Sequence, residues 1–215
     1  MTRVSGMTRF LSQPVFIAFE GVEGCGKSTQ IRLLAERLSR EGCPHLITRE
    51  PGGSALGDAL RDLLLTPAGE GIDGLTELFL LEASRRHHVE HVIRPALRNG
   101  QIVLCDRFAD SSVAYQGGGR GLGVERVEQL NALATGEVWP ERTILLDLPA
   151  EDGLARVGRR SDPRDRMERE ALDFHRRVRQ TYLDIARRRG DRYRVIDARP
   201  GPAEVAAAVW GALEP

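Results

Sequence analysis

The sequence Gly21-Val22-Glu23-Gly24-Cys25-Gly26-Lys27-Ser28 fits the pattern G-x-x-x-x-G-K-[ST], known as the P-loop. In this pattern the glycines let successive backbone N–H groups turn inward around phosphate oxygens, the lysine reaches the β- and γ-phosphates, and the hydroxyl coordinates Mg²⁺. An apolar run at 15–19 predicts a buried strand before the stretch, and the spacing of Ile31, Leu34 and Leu38 predicts a helix after it. The motif requires this context of strand, glycine-rich turn and helix. The sequence therefore predicts a binding site for a nucleoside triphosphate.

Among the 31 lysines and arginines, Lys27 is the one lysine of the chain. Arginine supplies the positive charge everywhere else, but a planar guanidinium does not replace a compact ammonium in a tight phosphate cradle. The retained lysine therefore supports the phosphate-binding interpretation. It also excludes the guanine-recognition element N/T-K-x-D, because that element needs a second lysine.

The length predicts one domain, and the balanced charge predicts no general attraction to nucleic acid or membranes. The 215 residues carry 31 basic and 31 acidic side chains, so neither nucleic acid nor a membrane is predicted as a partner. We expect residues 1–14 to form a loosely ordered N-terminal arm, with Met1 or Met7 as the start, and residues 15–215 to form a single domain. Three cysteines without metal-ligand spacing predict a reducing, cytoplasmic location.

Apolar runs alternate with helical spacings along the rest of the chain. This alternation predicts an α/β fold with a five-stranded parallel sheet covered by helices on both faces. A long helix is expected at 75–98, where Pro95 would bend the last turn, and a glycine-rich loop at 117–123. After the first strand, the predicted strands lie at 45–48, 101–105, 143–148 and 193–196.

Three polar stretches follow predicted strands and should meet in one cleft. They are the P-loop, Arg49-Glu50 and Asp106-Arg107. Ligands of parallel α/β sheets bind beyond the carboxyl ends of the strands. Asp106 would help to retain Mg²⁺ together with Ser28, although a helix-capping or turn aspartate is the alternative. Arg107 would offer a bidentate donor to an anion in the same cleft.

An arginine-dense segment predicts a lid at about 156–168. A continuous arginine-rich helix would be a solvated face, but glycine and proline interrupt this run, which favours a mobile flap. Such a flap can place arginines over a transferring phosphoryl group. The arginines are Arg156, Arg159, Arg160, Arg164 and Arg166, and the interruptions are Gly158 and Ser161-Asp162-Pro163.

A second pattern, His87-x-x-Glu90-His91, fits the zinc-binding sequence H-x-x-E-H. The alternative is the polar face of a helix, on which His87 and His91 are only i, i+4 neighbours. We favour the helix face, because the P-loop already accounts for a complete site.

Taken together, these stretches resemble the thymidylate kinase family, of the nucleoside-monophosphate kinase group. The resemblance implies a three-layer P-loop NTPase fold and the reaction ATP + dTMP → ADP + dTDP with Mg²⁺. It also implies a homodimer packed through helices. The matching stretches are 19–29, 48–53, 83–85, 106–108, 111–112, 114–117 and the arginine-rich segment up to Asp165-Arg166.

The resemblance also assigns roles to individual residues. It places ATP on the P-loop from Gly21 to Thr29. It places the dTMP sugar 3′-hydroxyl on Glu23, the acceptor phosphate on Arg107 with Arg49 nearby, and the thymine edge on Arg85. The remaining dTMP-binding residues that it implies are Glu50, Arg61 as a weaker contributor, Ser112 and Gln116 for the base, and Tyr115 beside the sugar.

Two departures from the family pattern matter for this chain. Some members carry a P-loop arginine where this chain has Gly24, so it resembles the bacterial type whose lid supplies the catalytic arginines, here Arg160 and Arg166 beside Lys27 and Arg107. Members also commonly stack a phenylalanine on thymine. That position is Leu81 here, and Phe79 lies two residues earlier, so either residue could provide the apolar contact.

Two other functions remain open from the sequence. One is a kinase of another small acceptor, such as a nucleoside or a different monophosphate. The other is a regulatory P-loop ATPase that acts as a binding module. ADP release measured with dTMP, with other acceptors and without an acceptor separates both from the family reaction.

Overall fold

A single parallel sheet organises the fold. The structure is a computed structural model that describes residues 9–66, 69–159 and 165–213. All four strand pairings are parallel and the strand order is β2-β3-β1-β4-β5, which confirms the predicted fold class. The strands are β1 Phe16–Glu20, β2 His45–Arg49, β3 Ile102–Asp106, β4 Arg142–Asp147 and β5 Tyr193–Asp197.

The strand residues alternate between two apolar layers. Ile17 and Phe19 pack into the larger core on one face of the sheet, whereas Phe16 and Ala18 pack into the smaller core on the other. Strands that are buried on both faces need apolar side chains at every position, and β1 is buried throughout. The result is the three-layer arrangement that the sequence predicts.

Helices cover both faces of this sheet. Within the described ranges, none of them is both long and apolar enough to cross a bilayer. The α-helices are α1 Lys27–Arg40, α2 Ala55–Leu65, α3 Gly74–His88, α4 Arg94–Arg98, α5 Ala109–Ser112, α6 Val124–Thr135, α7 Ala150–Val157, α8 Leu172–Arg189 and α9 Pro202–Gly211. Two π-helical segments, Val89–Ile93 and Val113–Gly119, and two 3₁₀ turns, Arg9–Ser12 and Gly190–Arg192, complete the described elements.

The predicted glycine-rich loop at 117–123 is helical as far as Gly119, so the prediction was wrong for its first three residues. The reason is a close contact with α8. A Cβ atom on Gly118 would lie 2.0 Å from Thr181 Oγ1, and one on Gly119 would lie 2.6 Å from the ring of Phe174. These glycines therefore serve helix packing rather than a turn.

The predicted N-terminal arm also needs correction. Residues 1–8 lie outside the described part of the chain, but Arg9–Ser12 form a 3₁₀ turn rather than a loose segment. Leu11 is 2% exposed and belongs to the larger core, and the ring of Phe10 lies 5.1 Å from the Arg142 guanidinium. Burial of Leu11 holds this part of the arm in place.

The P-loop touches α7 through a pair of glycines. A Cβ atom on Gly24 would lie 2.3 Å from the carbonyl oxygen of Gly153, and one on Gly153 would lie 2.3 Å from that of Glu23. No side chain tolerates such distances without backbone movement. The pair therefore fixes how closely the helix before the lid approaches the P-loop.

We predict that Gly153→Ala destabilises the protein although alanine favours a helix. The added methyl group overpacks against the Glu23 carbonyl, which should lower the free energy of unfolding by about 1–3 kcal/mol. Gly211→Ala is the matched control, because nothing lies within 4 Å of a Cβ atom on this helical glycine. Urea unfolding measures both variants. A Gly153→Ala protein as stable as the control would contradict the predicted contact.

Candidate active site

The carboxyl ends of β1, β2 and β3 meet at one cleft, a cavity of about 280 Å³. The sheet register places Arg49 beside Asp106 and Phe19 beside Asp106. Of the predicted site residues, Arg160 lies outside the described residues, and Gly21, Val22 and Cys25 are not among the residues that line the cleft. The predicted residues that line the cleft are Glu23, Gly24, Gly26, Lys27, Ser28, Thr29, Arg49, Glu50, Arg61, Leu81, Arg85, Asp106, Arg107, Ser112, Tyr115, Gln116 and Arg166.

The P-loop folds around the ammonium of Lys27. Nζ donates to the carbonyl oxygens of Gly21 and Val22, each at 3.1 Å, and lies 3.5 Å from Cys25 Sγ. Gly26 has φ 95° and lets the chain enter α1 directly after the loop. A lysine and free backbone N–H groups at a helix N-terminus form a site for phosphate.

Ser28 and Asp106 form the pair that the sequence predicts for a metal. Ser28 Oγ donates to Asp106 Oδ2 at 2.9 Å across the gap between α1 and β3. These oxygen atoms are of the kind that Mg²⁺ prefers, and it usually completes its coordination with substrate phosphates and water. In the described part of the chain, no group of three or more His, Cys, Asp and Glu could hold a metal ion without such help.

Arg107 crosses the cleft from the end of β3. Its Nη2 donates to Glu23 Oε1 at 2.9 Å, and its Nη1 donates to the Gly21 carbonyl oxygen at 3.0 Å and to Tyr182 at 3.2 Å. Arg107 has φ 69°, an uncommon conformation for a residue other than glycine. This backbone directs the guanidinium towards the P-loop, and functional sites are where such strain occurs.

Glu23 is an ionised acceptor beside Arg107. Burial alone would raise the pKa of Glu23, but the charge of Arg107 and contacts with His175, Lys27 and Tyr115 outweigh it and lower the pKa to about 2. The Tyr115 hydroxyl donates to Oε1 at 2.6 Å. The other oxygen, Oε2, has no hydrogen bond among the described residues, although the buried His175 lies 3.3 Å away.

Glu20 supports Arg107 from behind. Its Oε2 accepts from Ser111 Oγ at 2.6 Å and from the Tyr182 hydroxyl at 2.8 Å, and both of these side chains contact Arg107. Burial and the charge of Asp110 raise the pKa of Glu20 to about 7, although the hydroxyl hydrogen bonds and Arg107 act in the opposite direction.

Arg85 is buried, and protein groups take up all five of its N–H bonds. The strong partners are Glu50, Glu82 and Asn131, at 2.6–2.8 Å, and the carboxylates raise the pKa of Arg85 although burial opposes them. Nη2 has the weaker contacts, with Ser112 Oγ at 3.0 Å and the Phe108 carbonyl oxygen at 3.4 Å. Nη2 is therefore the nitrogen whose contacts a ligand would displace most easily.

Glu50 is held by a histidine as well as by Arg85. His88 is fully buried and its Nδ1 lies 2.9 Å from Glu50 Oε1, while its Nε2 lies 2.6 Å from Thr48 Oγ1. Glu50 thus supports Arg85 and also lines the cleft, and the dTMP contact that the family resemblance implies for it stays a prediction.

The predicted lid arginine Arg166 lies at the far end of the cleft from the P-loop. Its guanidinium contacts Glu77 of α3, and its Nε donates to the Leu64 carbonyl oxygen at 2.8 Å. Glu77 also accepts from Gln116 Nε2 at 2.6 Å and from Arg120 Nε at 2.7 Å. Arg166 is therefore anchored to α2 and α3 in this structure, and its predicted role over the transferring phosphoryl group stays a prediction.

Leu81 and Phe79 have different environments on α3. Leu81 lines the cleft, whereas Phe79 is 54% exposed and points away from it. Arg49 and Arg61 also line the cleft, and Arg61 Nη1 donates to the Pro51 carbonyl oxygen at 3.0 Å. Burial lowers the pKa of Arg61, and the positive charges of Arg49 and Arg107 lower it further.

The zinc interpretation of the histidine pattern does not fit the geometry. His87 Nδ1 lies 3.1 Å from Ser54 Oγ, and Glu90 pairs with Arg86 and Arg94. The His87 and His91 rings lie against each other with centroids 4.2 Å apart. These residues form the polar face of a helical segment.

Several site residues had no assigned role in the sequence analysis. Tyr182 has the spacing of a core residue on α8, and Glu77, Glu82 and His175 have the ordinary appearance of helix residues. The signal for Glu20 was available, because a carboxylate ends an otherwise apolar strand directly before the P-loop.

Comparisons with known proteins find relatives that match most of the chain. The model of the family described as Thymidylate kinase matches residues 19–209. A thymidylate kinase of Synechococcus sp. (strain JA-2-3B'a(2-13)) is 53% identical over 201 residues, which cover 94% of this chain and 95% of the relative. One of Thermomicrobium roseum is 51% identical and covers 92% of this chain and 93% of its own. The crystal structure of thymidylate kinase from Ehrlichia chaffeensis matches with a TM-score of 0.75 and 36% identity, over 94% of this chain and 99% of that one.

We predict that Glu20→Gln becomes more favourable for stability as the pH rises. The pKa of Glu20 is raised in the folded protein, so this group contributes most at low pH, and its contribution falls as the pH rises from about 4.5 to about 7. Glutamine does not ionise and avoids this loss. Between pH 5 and pH 8 the unfolding free energy of the variant should gain roughly 2 kcal/mol on the wild type. If the unfolding free energies of Glu20→Gln and the wild type change in parallel with pH, the raised pKa of Glu20 is contradicted.

Proposed function

The chain belongs to the thymidylate kinase family, and we propose a division of its cleft into an ATP site, a dTMP site and a lid. Members of this family are ATP-dependent phosphotransferases that convert dTMP to dTDP, and this chain is an enzyme of that kind. The observation that carries the proposed division is the convergence of Lys27, the Ser28–Asp106 pair and the Arg107–Glu23 pair on one cleft.

The donor site consists of the P-loop and the start of α1. Backbone N–H groups from Gly21 to Thr29 bind the β- and γ-phosphates, and Lys27 leaves its loop carbonyls to neutralise their charge. Ser28 and Asp106 are the residues that would hold Mg²⁺. When bound, the ion would offset the charge that develops between the β- and γ-phosphates.

The acceptor site binds a second phosphate opposite the donor. The second pKa of a phosphate monoester is about 6, so the attacking oxygen of dTMP is ionised at neutral pH and needs no general base. The protein must instead bring two anions together. Arg107 binds the acceptor phosphate, and Arg49 and Arg61 add positive charge to the cleft.

The sugar and base of dTMP extend from this phosphate towards α3. Glu23, which is ionised, accepts from the sugar 3′-hydroxyl through Oε1, the oxygen that Tyr115 also contacts, because the buried Oε2 faces His175. Leu81 provides an apolar contact for thymine. Arg85 Nη2, Ser112 and Gln116 recognise the polar edge of the base, and Glu50 acts by orienting Arg85.

The lid completes the site after both substrates bind. We propose Arg160, which lies outside the described residues, as the lid arginine for the transferring phosphoryl group. Arg166 fastens the lid to α2 and α3 through Leu64 and Glu77. A closed lid excludes water and limits the hydrolysis of ATP.

We predict that Lys27→Ala and Arg107→Ala each abolish most phosphoryl transfer, the first by its effect on ATP and the second by its effect on dTMP. Lys27→Ala should lower kcat by about 10³-fold or more, because the positive charge that stabilises the transferring phosphoryl group is lost. Arg107→Ala should also raise KM for dTMP, because the acceptor phosphate loses a bidentate partner. An assay of ADP release measures both, with circular dichroism as the control for folding.

The same assay separates the alternative functions. Wild-type protein should prefer dTMP over dUMP, dCMP, AMP and thymidine, and its ATP hydrolysis without an acceptor should be slow. Equal rates with and without dTMP would favour a regulatory ATPase. An Arg107→Ala protein with unchanged kcat and KM for dTMP would contradict the proposed acceptor site.

A homodimer through the outer faces of α2, α3 and α6 is the proposed assembly. The three helices pack side by side, and each exposes large apolar side chains. Leu75 and Phe79 form a stripe on α3, and Leu133 on α6 is 76% exposed. Adjacent exposed apolar groups mark an interaction surface. We also propose a cytoplasmic location, which the three free cysteines support, without nucleic acid or membrane as partners.

We predict that Phe79→Glu converts this dimer to a monomer. A charge would be buried without a partner in the apolar interface, which costs several kcal/mol. Sedimentation velocity at micromolar concentration measures the mass. Val195→Glu is the control, because Val195 is 50% exposed on the edge strand β5. A Phe79→Glu protein that still sediments as a dimer would show that the interface does not include Phe79.

A further inference from the structure

Glu77 is a buried carboxylate in the wall of the cleft, and the proposed reaction gives it no contact with either substrate. It lies in the first turn of α3, is 1% exposed and lines the cleft. Three side chains converge on it. Arg120 donates to both of its oxygens, at 2.7 and 3.0 Å, Arg166 contacts Oε2, and Gln116 Nε2 donates to Oε1 at 2.6 Å.

These partners keep Glu77 ionised. Burial alone would raise the pKa of Glu77, but the hydrogen bonds from Arg120, Gln116 and Arg166 outweigh it and lower the pKa. An ionised carboxylate accepts hydrogen bonds and cannot donate them. Any group that bonds to Glu77 must therefore offer a donor.

This requirement fixes the orientation of the Gln116 side chain. An amide has a donating NH₂ end and an accepting oxygen end, and only the NH₂ end can bond to Glu77. The carbonyl oxygen Oε1 is left on the other side of the amide. No group among the described residues donates to Oε1, and Gln116 lines the cleft from the buried π-helical segment Val113–Gly119. The cleft is thus offered an acceptor at a fixed position.

We propose that Glu77 is a positioning residue that makes the site select thymine over cytosine. Thymine carries a hydrogen on N3 and can donate it to Gln116 Oε1, whereas N3 of cytosine is itself an acceptor and would face a second one. Two acceptors opposite each other leave both without a hydrogen bond, and polar mismatches of this kind give strong discrimination. The inference rests on the proposed function, in which Gln116 recognises the base.

The test compares dTMP with 5-methyl-dCMP, which keeps the methyl group, sugar and phosphate and changes only the hydrogen-bonding edge. The measurement is the ratio of kcat/KM for the two substrates. In Glu77→Gln the residue at 77 can donate, so the Gln116 amide is free to turn and present its NH₂ group to cytosine. We expect the ratio to fall about tenfold or more, chiefly because 5-methyl-dCMP becomes a better substrate.

The matched control is Glu170→Gln. Glu170 pairs with Arg120 Nη1 at 3.0 Å, so this variant also removes a carboxylate from the arginine but leaves the contact between Glu77 and Gln116 intact. Its substrate ratio should match the wild type. If Glu77→Gln lowers kcat/KM equally for both substrates, Glu77 is only structural and the proposal is overturned.

Two further variants keep the outcome decisive. If Glu77→Gln does not fold, Glu77→Asp retains the charge for the two arginines but withdraws the carboxylate by about 1.5 Å, and a folded Glu77→Asp protein with an unchanged ratio overturns the proposal. Gln116→Leu tests the premise. If it leaves the ratio unchanged, Gln116 does not recognise the base, and both the proposed base site and this inference fail. If only Gln116→Leu changes the ratio, the base site stands and the role of Glu77 fails.

Discussion

The parallel pairing of β3 with β1 is the constraint on which the site depends. It places Asp106 opposite Phe19, and the Arg107 N–H group continues the pairing by donating to the Phe19 carbonyl oxygen at 2.9 Å. Asp106 and Arg107, to which we assign the metal and the acceptor phosphate, thereby lie beside the P-loop, which leaves the same end of β1. A shift of one residue would exchange the faces of β3 and bury Asp106 instead of Cys105. The apolar pattern of both strands therefore fixes the chemistry as well as the core.

A second constraint is the cost of keeping several arginines in one cleft of a protein with no net charge. Carboxylates in the cleft offset this cost by pairing with arginines, as Glu23 does with Arg107 and Glu77 does with Arg166. A buried charge without a partner would be strongly destabilising, whereas a paired one is tolerated. The pairs also hold the guanidinium groups in place before substrate arrives, which reduces the reorganisation that binding requires.

The sequence was sufficient for the strands, the P-loop and the strand-end residues, because each is a local pattern. Glu77 and Tyr182 were missed for a physical reason. Their role arises from partners 39 and 162 residues away, in Gln116 and Glu20, and no local spacing records such contacts. The helical residues Gly118 and Gly119 were missed for a related reason, since they allow the close approach of α8, whereas glycine in a sequence more often indicates a turn.

The contact between Gly24 and Gly153 explains why the P-loop of this chain carries no arginine at residue 24. A side chain at residue 24 would collide with the backbone of α7, since even its Cβ atom would lie 2.3 Å from the Gly153 carbonyl oxygen. The same α7 leads into the arginine-rich segment. The close approach of this helix thus excludes an arginine from position 24, so an arginine for the proposed phosphoryl transfer has to come from another part of the chain.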